Sequence, residues 1–121
     1  MKHMYYMNVP LNNKGIKEFD NYDDSMPNVR TFELTKNEFM SLWKTGSLFD
    51  VFDKKFDIII DHSEEERIEL ENLSEAITVT KNFLKKAKDP IEKAASQKVL
   101  ESLELALKSK TFWEIDIFLV V

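Results

Sequence analysis

Phe112-Trp113-Glu114-Ile115-Asp116-Ile117-Phe118-Leu119-Val120-Val121 decides the architecture. Trp113, Ile115, Ile117, Leu119 and Val121 fall on one side of an extended chain, with Phe112, Glu114, Asp116, Phe118 and Val120 on the other. That period of two belongs to a half-buried strand. A strand of this length has to pair with another, and the partner stands at the other end of the sequence. There His3, Tyr5, Met7 and Val9 alternate with Met4, Tyr6 and Asn8 in a run rich in aromatic residues. Both terminal segments then share one small sheet, and the sequence between them has to supply what covers its apolar face. The expectation is an α+β domain of two layers, with about four helices on the sheet.

The intervening signals fit that plan. Residues 10–28 hold Asn12, Asn13, Gly15, Asp20, Asn21, Asp23, Asp24 and Pro27, and read as a long loop that Ile16 and Phe19 pin to the body. Residues 29–34 read as a short second strand. Thr35 and Glu38 have the capping-box spacing, so a helix starts there with Phe39, Leu42 and Trp43 on its buried face, and Gly46 supplies a left-handed stop. Ser47 and Asp50 start a second short helix whose inward side is Leu48, Phe49, Val51, Phe52 and Phe56. Its outward side places Asp50, Asp53 and Asp57 along one solvated stripe. Residues 58–60 suit either a buried strand or a connector, and residues 61–66 a polar turn. Leu73, Ala76, Ile77, Thr80, Phe83 and Leu84 mark a third helix ending near Lys88. Asp89-Pro90 opens a fourth, with proline at the first helical position, where its missing N–H is no loss.

Composition bounds the function. With 121 residues the chain makes a single domain, 1–121, and 43% apolar residues suffice for a core without metal or disulfide staples. The net charge of -5 argues against direct nucleic-acid binding. The absence of cysteine excludes thiol catalysis and cysteine-ligated zinc. The longest apolar run, residues 117–121, is far below the ~18 residues a membrane span needs. His3, Asn8 and Pro10 interrupt any signal-peptide core, so a cytoplasmic protein is expected.

Chemistry has little to build on. Asp61, His62 and Ser63 carry the side chains of a hydrolase triad, but consecutive residues point in different directions and no nucleophile elbow accompanies them. Asp20, Asp23 and Asp24 lack the alternation and mid-loop glycine of a calcium loop, and Asp50, Asp53 and Asp57 lie on a helix that cannot wrap an ion. Neither cofactor nor metal is expected, and no enzyme activity. The stripe of Phe39, Trp43, Phe49, Phe52 and Phe56 is read as core rather than a ligand box.

Charge distribution carries the functional signal. Residues 50–75 hold ten acids against Lys54, Lys55 and Arg67, a segment charge of -7, so the rest of the chain sums to +2. Glu69, Glu71 and Glu75 at the start of the third helix, and Lys81, Lys85, Lys86 and Lys88 near its end, suit the helix dipole. The acids from 50 to 66 answer to no such rule, and a patch of that kind steers a basic partner. The candidate partner-binding residues are Asp50, Asp53, Asp57, Asp61, Glu64, Glu65, Glu66 and Glu69.

The run from Leu34 through Gly46, then Leu48-Phe49-Asp50-Val51-Phe52, then residues 58–68 with their acidic turn, resembles small bacterial immunity proteins of polymorphic and contact-dependent growth-inhibition toxin systems. The likeness covers about a quarter of the chain. It implies a protein that binds the C-terminal domain of a cognate toxin and occludes its basic active-site cleft, a nuclease being the toxin type of matching chemistry. The other readings are an acidic solvated face without a partner, an assembly subunit or homo-oligomer that pairs through a terminal strand edge, and, last, a small hydrolase.

Overall fold

The structure, a computed structural model, describes residues 2–61 and 65–120. The two terminal segments do pair. β1 (Lys2–Pro10) and β4 (Trp113–Val120) run antiparallel from Lys2 opposite Val120 to Asn8 opposite Glu114. β2 (Val29–Leu34) adds to the free side of β1 with Tyr5 opposite Leu34, and β3 (Glu66–Ile68) to that of β4 with Ile68 opposite Trp113. The sheet is thus antiparallel in the order β2-β1-β4-β3. Because side chains alternate, this register puts Tyr5, Met7, Val9, Leu34, Ile68, Trp113 and Ile115 on one face, and all are buried.

That face carries α2 (Lys36–Trp43), α3 (Leu48–Phe56), α4 (Leu70–Lys86) and α5 (Pro90–Ser109). At the centre the Trp113 indole N–H donates to Ser102 Oγ at 2.8 Å, and the Phe52 ring meets the indole edge-on at 6.2 Å. Tyr5 stacks on Phe39 at 4.4 Å. The capping box of α2 is formed in both directions, and Glu38 also takes the Lys98 ammonium at 2.8 Å. Burial alone would raise the Glu38 carboxyl; Lys98 and the Thr35 N–H outweigh it and hold that carboxyl below its ordinary value. At α5 the Asp89 side chain accepts from the Glu92 N–H at 2.9 Å ahead of Pro90.

Several expectations are corrected. Residues 10–28 are not one loop: α1 (Asn13–Asp20) forms there, capped by the Asn12 side chain, which accepts from the Gly15 N–H at 2.9 Å. It lies on the other side of the sheet, where Phe19 packs on Phe112 at 5.8 Å, so five helices form among the described residues rather than four. Gly46 is left-handed (φ 82°), yet α2 has already ended at Lys44 with an extended cap; the glycine serves α3 instead, donating its N–H to Asp50 Oδ2 at 2.8 Å. Ser47 makes no side-chain cap and donates to Glu92 Oε2 at 2.8 Å. Trp43, taken for core, is 40% exposed beside the buried Phe39. Residues 58–60 form a connector, with Ile60 buried and Ile59 66% exposed, and the strand is Glu66–Ile68, overlapping the expected turn.

Gly15 explains how α1 docks. A Cβ there would stand 2.1 Å from the Asn28 carbonyl oxygen and 3.3 Å from Pro10 Cα, both main-chain atoms. Gly15→Ala is therefore expected to destabilise the protein by about 1–3 kcal/mol, the usual cost of overpacking, although alanine alone favours a helix by nearly 1 kcal/mol. Denaturant unfolding measures it, and a variant at least as stable as the parent would refute this docking.

Candidate functional site

The acidic segment wraps α3 and the start of β3. Asp50 is tied locally: the Gly46 N–H and the Lys54 ammonium at 3.1 Å hold its carboxyl below the ordinary value. Asp53 does not lie on a solvated stripe. It is half-buried and accepts from the Ile60 N–H at 2.9 Å, fixing the connector after α3. Burial pushes the Asp53 carboxyl up; the Ile60 N–H pulls it back, and the charges of Asp50, Glu66 and Asp61 push it up again. Asp53 therefore lies within the field of those three acids. Asp57 caps α3 in the left-handed conformation (φ 54°) and is exposed, as are Glu65 and Glu69, while Asp61 and Glu66 are half-buried. Glu69 stands 3.9 Å from Arg67. Glu64, and with it His62 and Ser63 of the triad-like run, lies outside the described residues.

A second constellation escaped the sequence reading. It occupies the face of the sheet opposite α2 to α5, built on the even-numbered positions of β1 and β4. Thr31 Oγ1 donates to Asn8 Oδ1 at 2.7 Å, and Asn8 Nδ2 donates to Asp116 Oδ2 at 2.7 Å. Next to Asp116 on the same strand face is Glu114, which takes the Arg67 guanidinium at 2.9 and 3.0 Å. That guanidinium also lies 3.7 Å above the centre of the Phe112 ring and 3.7 Å from Asp20. Burial, with a hydrogen bond and charge repulsion from Asp116, pushes the Glu114 carboxyl up to about 8, against the pull of Arg67.

The signal that could have found it is the pattern Trp113-Glu114-Ile115-Asp116-Ile117, with acids on the face opposite the apolar one. That is ordinary for a solvated strand face, and only the register with Asn8, 108 positions away, reveals the burial. Among the described residues no three acids or histidines come together as a metal-holding group. No described helix is long and apolar enough to cross a membrane. No family model, curated protein or solved structure matches the chain.

Proposed function

We propose that the protein is an immunity-type binding protein without catalytic activity of its own, acting in the cytoplasm. It neutralises the C-terminal domain of a bacterial toxin, such as a nuclease, by laying its acidic surface over the toxin's basic active-site cleft. What supports the reading is the charge of Asp50, Asp61 and Glu66 falling on the half-buried Asp53, beside the exposed Asp57, Glu65 and Glu69. Like charges held together oppose folding and favour a partner that brings the opposite charge. A cleft built to attract phosphate presents arginine and lysine, which carboxylates on a fixed scaffold satisfy while they exclude substrate.

The experiment is the affinity for the toxin domain encoded beside the gene. Asp57→Asn and Glu65→Lys leave the Asp50 and Asp53 hydrogen bonds intact, so each should change stability by no more than ~1 kcal/mol. If their partners are desolvated bases, each should weaken binding by about 2 kcal/mol or more, and association should slow as salt rises. Lys85→Gln with Lys86→Gln should weaken affinity less than the acid variants: the end of α4 lies about 24 Å from its start at 1.5 Å per residue, although Lys86 shares a groove with Val51, next to Asp50. Binding that ignores the acid variants and fails with the lysine pair would reject the reading.

One observation favours a second reading, assembly through a strand edge. β3 pairs with β4 only as far as Ile115, and among the described residues no strand pairs with residues 116–120 on that side. Phe118, Leu119 and Val120 there are half-exposed. An edge of this kind accepts another strand. Self-association lost in Phe118→Lys would support this reading against the first.

A further inference from the structure

The open face of the sheet, with α1 and the segment after it, encloses a cleft of about 510 Å³. That volume lies within the range of small-molecule sites. Four aromatic rings wall it: Tyr6, Phe19, Tyr22 and Phe118. Asn8, Thr31 and Asp116 form its polar floor, and Glu65 contributes a second carboxylate. We propose that this cleft binds an organic cation, a guanidinium or ammonium group on an apolar stem. The inference stands independently of the toxin reading.

The floor is preorganised to accept. Thr31 donates to Asn8 and Asn8 to Asp116, each at 2.7 Å, so the chain of donors ends on an acidic oxygen that is nine-tenths buried yet faces the cleft. A carboxylate fixed in this way, away from bulk water, binds a charged donor more strongly than a surface acid does. Among the described residues no basic side chain lines the cleft. Arg67, the base near this network, is occupied by Glu114, Asp20, Glu69 and the Phe112 ring. An anion would therefore meet two carboxylates and, among the described residues, no counter-charge in the lining.

The walls select for the rest of the ligand. Aromatic faces attract a cation within about 6 Å, and their rings and Met26 cover an alkyl stem. Tyr22 is the telling residue. Its backbone is left-handed (φ 53°), a conformation rarely adopted by a bulky side chain, and the residue is 85% exposed where it lines the cleft. Such a ring gains contact area only when something lies in the cleft beside it.

The test is an NMR titration of the full chain, following the Asn8 side-chain amide and the backbone amides of Tyr22, Thr31 and Phe118. The probes are acetyl-arginine methylamide, agmatine and the neutral acetyl-citrulline methylamide. Both cations are expected to give saturable shifts confined to the cleft, at least tenfold tighter than the citrulline compound, since a hydrogen bond between charged groups is worth more than a neutral one. Asp116→Asn should weaken the cations about tenfold and leave the neutral compound unchanged. Tyr22→Ala, at an exposed site where folding is not at risk, should weaken them about twofold to fivefold. Tighter binding of agmatine would mark a free amine as the ligand, and tighter binding of the blocked arginine a protein side chain; either supports the site. Scattered shifts, equal binding of the citrulline compound, or parental affinity in Tyr22→Ala would overturn the proposal, whether or not Asp116→Asn folds.

Discussion

Trp113→Ala is expected to remove a large share of the stability of the fold. The side chain is fully buried on β4, the strand that joins both β1 and β3, and touches Phe49 and Phe52 from α3. Truncating a buried tryptophan costs about 3–5 kcal/mol through lost transfer energy and the cavity left behind. It also removes the donor that Ser102 Oγ accepts at 2.8 Å, worth about 1 kcal/mol. Against the 5–15 kcal/mol typical of a domain, that is between about a third and all of it. Trp113→Phe keeps most of the packing and should lose about half as much. The midpoint of denaturant unfolding measures both, and an alanine variant within 1 kcal/mol of the parent would show that the indole is not central to the core.

The second large effect is a pH dependence that Glu114→Gln should abolish. The Glu114 carboxyl titrates at about 8 in the folded protein and near 4.5 when unfolded, because burial and Asp116 disfavour its charge. Between those values the folded state holds a proton that the unfolded state has released. This group's contribution is therefore complete below about pH 4.5, declines as pH rises, and is gone above about 8. Stability therefore falls as pH rises across that interval. Glutamine keeps the shape, accepting from Arg67 with its oxygen and donating to Asp116 with its amide, but never ionises. The variant should match the parent near pH 5 and exceed it at pH 9, as read from unfolding midpoints across that range. Parallel pH profiles for the two proteins would contradict the raised value.

What the sequence discloses depends on how far apart the cooperating residues are. Thr35 and Glu38, or Asp89 and Pro90, act within one helical turn, and the starts of α2 and α5 are legible for that reason. The pairing of the terminal strands is legible too, since both carry a period of two and each needs a partner. α1 is hidden because its eight residues lie among turn-forming ones and present only Ile16 and Phe19 as anchors. Its close contact with Asn28 depends on a missing side chain, which no periodicity records. β3 is too short to show alternation. Of the acidic surface, the sequence locates the charges but not their duties: nothing in the spacing of Asp53 and Ile60 distinguishes a hydrogen bond from a solvated carboxylate. The open-face network is least legible, because it is assembled across strands.

The register of β1 with β4 also orders events in time. A chain made from its first residue onward has β1 early, and β2 can join it as soon as Leu34 is made. The other side of β1 waits for residues 114–120. Until then Tyr5, Met7 and Val9 belong to a two-stranded ribbon, which is marginally stable at best in water. α4 and α5 are neighbours in sequence and can associate beforehand, whereas pairing β1 with β4 closes a long loop, which is entropically costly and slow. Synthesis interrupted before residue 113 leaves an unpaired, aromatic-rich strand open to other chains, and completion of the last strand is what converts an aggregation hazard into a folded protein.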